Sequence, residues 1–305
     1  MRDPLVRATV PVATFIPPPS EWQAMADVTF RVDGEAVAGT LCEPADDGTP
    51  VKGALVLMHG LLSQRSEFSD APERFASRGW RALAIDARGF GASSGKRGRI
   101  HQARMVADVL GAVRYLRDLA PDLPIGLVGH SMGASAVLGA MVEDKAIAAA
   151  VLGAPMWTIR AELGEGEFFA YRAGNAASRL KAKLGLGGLV IPYRVDYADL
   201  FDDPDAVARA RKTRFLSANV NLDNYDDLMG LDCEPLARQV ERPVAVILGR
   251  NDKVVRPSSS RRVHMALAGE KTLVELDCGH SLFGDHRADE AVAHADAWFS
   301  RHLLK

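Results

Sequence analysis

The chain has 305 residues, a formal net charge of −2 and 48% hydrophobic residues. That length holds one large domain with an insertion, and the hydrophobic share supplies a sizeable core. A near-zero charge balance argues against nucleic acid as a partner, since that calls for a concentrated basic face.

Residues 1–24 read as an N-terminal arm. Leu5, Val6, Val10, Val12 and Phe15 are apolar, but Pro4, Pro11 and Pro17-Pro18-Pro19 break the stretch up. It lacks the continuous apolar core and cleavage site of a secretory signal, and no run in the chain reads as a transmembrane span. Cys42, Cys233 and Cys278 are odd in number and lack metal-ligand spacing, which points to free thiols in a reducing compartment. The expectation is a cytoplasmic protein without an integral membrane segment, with peripheral lipid contact left open. No His-Glu-x-x-His or similar motif occurs, so neither metal nor cofactor is expected.

The folded body starts near residue 25. Val28–Val32 and Ala36–Cys42 flank Asp33-Gly34 and predict a hairpin. Ala54–Met58 is an apolar run entering His59-Gly60-Leu61, and Ala82–Ile85 is a second buried strand. After His101, residues Val106, Val109, Leu110, Val113 and Leu116 share one helical face. Ile125–Val128 then leads through Gly129-His130-Ser131-Met132-Gly133 into a run of small helix formers. A strand, a sharp Gly-x-Ser-x-Gly turn and a helix together make a nucleophile elbow, with the Ser131 hydroxyl held above the sheet edge.

Ile147–Leu152 predicts another strand, and then the rhythm breaks. About 90 residues, 155–242, separate it from the next strand, far beyond an ordinary loop. This interval reads as a helical cap. Its Trp157, Phe168, Phe169, Tyr171, Ile191, Tyr193 and Phe215 either line an acyl pocket or form the cap's own core. Arg209, Arg211, Lys212 and Arg214 read as an exposed helix face. The acidic stretch Asp223–Asp227 lacks the ligand spacing of a calcium loop.

Val244–Gly249 ends in a loop carrying Asp252, and Thr272–Leu276 ends in one carrying His280. A serine nucleophile needs a base, and the base needs an orienting acid. Ser131, Asp252 and His280 stand in the required chain order, each after its own strand. Asp277 is the rival acid, but it lies only three residues from His280. His264, His286, His294 and His302 fall in helices or at their starts. Acyl transfer also needs N–H donors for the developing oxyanion, and the main-chain N–H groups of Leu61 and Met132 occupy the two expected places. His59 reads as a brace for the Leu61 loop. A last helix carries Val292, Ala295, Trp298, Phe299 and Leu303 inward.

Strands alternating with helices predict an α/β protein, a mostly parallel central sheet with helices on both faces. Residues 25–154 and 243–305 form its core. The Gly129–Gly133 elbow, Gly279-His280 and the segment Asp86-Ala87-Arg88-Gly89-Phe90-Gly91-Ala92-Ser93-Ser94-Gly95 resemble the α/β-hydrolase superfamily. Within it they are most similar to the monoacylglycerol lipase, lysophospholipase and serine-aminopeptidase-like group. Two places depart from that group: Ala134 stands where a second glycine often follows the elbow, and His59-Gly60-Leu61-Leu62-Ser63 replaces its His-Gly-x-x-Glu. The resemblance implies an α/β-hydrolase fold with a cap over the site. It also implies a cofactor-free serine hydrolase of carboxylic esters, with small lipid-like esters such as monoacylglycerols as the expected substrate. Plain carboxylesterase, peptidase, C–C bond hydrolase and cofactor-free peroxidase activities use the same triad. A non-catalytic relative that binds a small molecule is a separate class.

Overall fold

The computed structural model describes residues 25–192, 196–216, 219–222 and 229–304. The N-terminal arm, Tyr193 and the acidic stretch 223–227 therefore lie outside the described residues.

Eight strands form the central sheet: β1 (Met25–Val32), β2 (Glu35–Cys42), β3 (Gly53–Met58), β4 (Trp80–Ile85), β5 (Ile125–His130), β6 (Ala149–Gly153), β9 (Val244–Gly249) and β10 (Lys271–Leu276). Their order across the sheet is β1-β2-β4-β3-β5-β6-β9-β10. β2 pairs antiparallel with both β1 and β4, and every pair from β4 to β10 is parallel. The β1–β2 turn puts Asp33 at φ 51° and Gly34 at φ 81°, the backbone of a tight hairpin turn that matches strand twist.

Residues of β3, β5, β6 and β9 are buried throughout, as parallel strands covered on both faces must be. Alternate residues feed two cores. Ala54, Val56 and Met58 pack on one face with α2 (Gln102–Leu119), α3 (Gly133–Glu143), α8 (Cys233–Ala237) and α9 (Pro257–Ala266). Leu55 and Leu57 pack on the other with α1 (Ala71–Ala76) and α10 (Ala288–Leu303). The predicted inward faces of α2 and α10 are the observed ones: Val106, Val109, Val113 and Leu116 are buried, as are Val292, Ala295, Trp298, Phe299 and Leu303.

Between β6 and β9 the chain leaves the sheet. It forms α4 (Ile159–Glu162), α5 (Glu165–Lys183), α6 (Tyr197–Leu200), α7 (Pro204–Thr213) and α8, with a small antiparallel pair, β7 (Val190–Pro192) and β8 (Asn219–Asn221). α6 and α7 enclose a separate core of Leu200, Phe201, Ala206, Ala210 and Phe215. Arg209, Arg211, Lys212 and Arg214 are exposed, as α7's polar face requires.

Because β3, β5, β9 and β10 run parallel, the loops that follow them emerge at one edge. The carboxyl ends of such strands are where open α/β sheets gather functional groups.

Candidate active site

Ser131 follows β5 at φ 54°, a left-handed backbone that a residue with a side chain adopts only under constraint. Two glycines make the turn sterically feasible. A Cβ on Gly133 would lie 2.4 Å from the Met58 oxygen and 2.5 Å from the His59 oxygen, and one on Gly129 would lie 2.8 Å from Ala134 Cα. The Ser131 N–H donates to Gly153 O at 2.8 Å, fixing the turn to β6. The serine is buried except for 6% of its surface.

Asp252 and His280 meet after β9 and β10. His280 Nδ1 donates to Asp252 Oδ2 at 2.7 Å, and both side chains are almost fully buried. Asp252 Oδ1 accepts from the N–H groups of Val254 and Val255, each at 2.8 Å. Both carboxylate oxygens are thus occupied, and the side chain is fixed. Asp277, the rival acid, pairs instead with Arg250 at 2.7 Å and is 64% exposed in its side chain. Ser131 and His280 are not directly hydrogen-bonded. His130, the chain neighbour of Ser131, connects them: its ring lies 4.7 Å from that of His280, and its Nε2 donates to the His280 carbonyl at 2.9 Å. Hydrogen bonds between nucleophile and base are often long before substrate arrives.

Among the described residues, the N–H groups of Leu61 and Met132 make no hydrogen bond to the protein. Leu61 lies in a turn whose next residue, Leu62, has φ 57°. His59 is fully buried beneath it, donating through Nδ1 to Gly60 O at 2.8 Å and accepting through Nε2 from the Ala87 N–H at 3.0 Å. The ring braces the loop, as its position in the sequence suggests.

One charged pair at the site has no sequence signal. Glu67, in a short 3-10 turn over Arg65–Phe68, is 6% exposed. Its carboxylate accepts from His130 Nδ1 and, at 3.3 Å to each oxygen, from the Gly60 N–H. Burial alone would push Glu67 up, but the neighbouring His130 outweighs it and holds the carboxyl well below its ordinary value. Burial would likewise lower His130, yet Glu67 and the His280 carbonyl raise it.

The other candidates are dispersed. Trp157 is partly buried, with the Arg262 guanidinium stacked 3.4 Å from its ring centroid. Phe168 stands under Arg160 at 4.5 Å, and Phe169 is 63% exposed. Phe215 is 4% exposed in the α6–α7 core, 5.3 Å from the Tyr197 ring. Ile191 lies in β7, and its side chain is outside the described residues. The three cysteines are free and buried. Burial, reinforced by Asp285, Asp202 and Asp252, pushes the Cys278 thiol up to about 12, so it is an inert neighbour of His280. No cluster among the described residues could hold a metal ion, and no described helix is long and apolar enough to cross a membrane.

The family model described as serine aminopeptidase, S33, matches residues 49–287. A monoacylglycerol lipase of Mycolicibacterium smegmatis is 26% identical over 264 residues, covering 84% of this chain and 90% of that one. A 31.7 kDa Escherichia coli protein, described as uncharacterized and encoded between traX and finO, is 24% identical, covering 90% of this chain and 99% of its own. Among solved structures, a soluble variant of the Saccharomyces cerevisiae monoglyceride lipase, bound to a substrate analogue, aligns with a TM-score of 0.77 at 16% identity. It covers 95% of this chain and 99% of that one.

Proposed function

The chain belongs to the serine aminopeptidase S33 family of α/β-hydrolases, and from that premise we propose a serine esterase acting on small lipid-like monoesters such as monoacylglycerols. The observation that carries this reading is the 2.7 Å His280–Asp252 contact, set beside a serine on a left-handed elbow. Ser131 Oγ attacks the ester carbonyl carbon while His280 Nε2 accepts its proton. Asp252 orients the ring and stabilises its charged form. The Leu61 and Met132 N–H groups hold the oxyanion of the tetrahedral intermediate. On collapse His280 returns the proton to the leaving alcohol, and water then releases the acyl group by the same steps in reverse roles.

The substrate class rests on apolar side chains left partly buried over the core. Leu61, Trp157, Leu163, Tyr171, Leu189 and Met229 pack on the large core cluster to which Met132 also belongs. Such a wall suits an acyl chain, which gains about 0.8 kcal/mol per buried CH₂, roughly fourfold in kcat/KM per carbon. The relatives described as monoacylglycerol lipases support the same reading.

The test is kcat/KM for glycerol monoesters and p-nitrophenyl esters of rising acyl length, beside aminoacyl amides, with Ser131→Ala in parallel. Esters should be preferred, the rate should climb with chain length, and Ser131→Ala should lose roughly 10³-fold or more. Faster amide cleavage would replace the esterase with a peptidase. No dependence on acyl length would remove the lipid-like substrate, and a folded Ser131→Ala protein with normal turnover would remove the mechanism.

A further inference from the structure

We propose that Glu67 and His130 act as a paired positioning device for this reaction, tying the oxyanion loop, the nucleophile elbow and the base loop together. The proposal rests on the esterase reading above. Neither residue touches the reacting atoms in that mechanism, yet both sit at the centre of its scaffold.

The wiring is specific. Glu67 accepts from the Gly60 N–H, the residue before Leu61. It also accepts from Nδ1 of His130, the residue before Ser131. His130 Nε2 donates to the carbonyl of His280 itself. One carboxylate and one ring thus link three loops that are far apart in sequence.

The hydrogen bonds also fix the protonation of His130. A carbonyl oxygen only accepts, and a carboxylate holding the Gly60 N–H accepts as well. With an acceptor at each ring nitrogen, both nitrogens carry hydrogen, and His130 is an imidazolium. That places a positive charge 4.7 Å from the ring that must itself become charged in catalysis. Glu67 balances it. The other titratable groups facing this pair are His59, which interacts with Glu67, and Asp252, which interacts with His130.

A buried charge pair is an expensive way to fill space, and an apolar pair of similar volume often packs as well or better. The charged pair supplies direction here: its two outer bonds end on backbone, at the Gly60 N–H and the His280 carbonyl, and the bond between the two side chains joins them. A displacement of about 1 Å at such a site costs on the order of 10²-fold in rate.

Glu67→Gln keeps the shape and an acceptor for Gly60 but turns an amide toward His130. We expect kcat to fall roughly 10- to 100-fold, with KM changed less than about threefold. His130→Asn should lose a similar factor. The double variant should lose about as much as either single one, because one unit is broken each time. Rates are normalised to sites titrated with a fluorophosphonate, so that misfolded protein does not count. In ¹⁵N-histidine spectra of the wild type, the His130 signals, assigned through His130→Asn, should show both ring nitrogens protonated at pH 8. A lower unfolding midpoint with unchanged kcat per titrated site would leave a merely structural pair and overturn the proposal. Strictly multiplicative losses, or a neutral His130 in the wild type, would overturn it too. Should either variant fail to fold, the His130 ring signals are assigned in the wild type through their couplings to the His130 backbone, and that spectrum still decides. Full activity in Ser131→Ala would instead strike the esterase reading and leave the pair without a reaction to serve.

Discussion

Asp252→Asn removes a single charge, and the surrounding hydrogen bonds dictate how the new amide must sit. Asp252 Oδ1 accepts two backbone N–H groups, from Val254 and Val255, while Oδ2 faces His280 Nδ1. If the amide nitrogen introduced at position 252 turned toward Val254 and Val255, it would oppose two donors and lose both bonds, at about 1 kcal/mol each and more for donors left unpaired. The amide oxygen therefore stays there, and the NH₂ group points at His280. Nδ1 must then accept, which moves the ring proton to Nε2, the atom that should receive the proton of Ser131. A base in the wrong tautomer costs roughly 10³- to 10⁴-fold in kcat, about 4–5.5 kcal/mol of barrier. The fold should survive, since the shape and both backbone bonds are kept. The assay is p-nitrophenyl ester turnover per titrated site, with thermal unfolding alongside. Asp277→Asn is the control, because Asp277 is exposed and paired with Arg250, and it should behave like wild type. A folded Asp252→Asn enzyme within tenfold of wild type, or a greater loss in Asp277→Asn, would refute the reasoning.

Gly133→Ala would press a methyl group to 2.4 Å from Met58 O and 2.5 Å from His59 O, both backbone atoms at the end of β3; a loss of about 3 kcal/mol in urea unfolding is expected, and an unchanged midpoint would show that the elbow does not pack as described. The Glu67–His130 pair predicts a pH window. Glu67 lies below its unfolded value, so its contribution is present above about pH 4.3 and fades on acidification. His130 lies above its unfolded value, so its contribution is full below about pH 6.5 and fades as pH rises through the raised value. The stability gap between wild type and Glu67→Gln should therefore peak between about pH 4.5 and 6.5, and a gap constant from pH 3 to 9 in urea titrations would contradict the pairing. Asp285→Ala should destabilise by about 3 kcal/mol and lower kcat, because the carboxylate accepts from the N–H groups of Asp202, Asp203 and Gly279, the last beside His280; a midpoint shift without a rate change would separate the loop's stability from its catalytic geometry.

The sheet is legible in the sequence because its signals are local. A strand buried on both faces is a continuous apolar run, and the glycines after it announce the turn. This is why β3, β5 and β9 can be placed from the chain alone, and with them the loops of Leu61, Ser131 and Asp252. β6 starts two residues later than expected, at Ala149 rather than Ile147, because Asp144 caps the preceding turn by accepting from the Ala146 N–H. The Asp252–His280 contact is legible from chain order. Glu67 is not. It sits among polar residues in a short turn, and its partners come from β5 and the loop after β3, which only the tertiary fold brings to it. His130 is hidden differently. It fills the variable position of the elbow motif, where sequence says nothing about side-chain direction. The aromatic residues of the interval 155–242 are ambiguous for a simpler reason: a small core and an acyl wall draw on the same side chains. Phe215 belongs to the core of α6 and α7, whereas Trp157 packs on the Met132 cluster.

The interval between β6 and β9 is bonded to the two loops that carry His280 and Asp252. On one side, Asp285 holds the N–H groups of Asp202 and Asp203, Ser281 N donates to Leu200 O at 2.9 Å, and Asn251 Nδ2 donates to Asp202 Oδ2 at 2.7 Å. Ser281 follows His280 directly, so α6 and α7 are seated on the base loop. On the other side, Glu162 at the end of α4 accepts from the Arg256 N–H at 3.0 Å and from the Ser259 hydroxyl. Arg256 ends the turn that Asp252 opens, so α4 is seated on the acid loop. Val254 completes the arrangement by packing against the α6–α7 core. Charge-assisted bonds of this kind are stronger and shorter than neutral ones, and two of these anchors, Asp285 and Glu162, are carboxylates with little exposed surface. The proposed triad and the interval therefore share the same anchors. A substitution that reseats α4 or α6 should displace Asp252 or His280 as well, and the measurement that checks it is a paired change in kcat and in acyl-length preference.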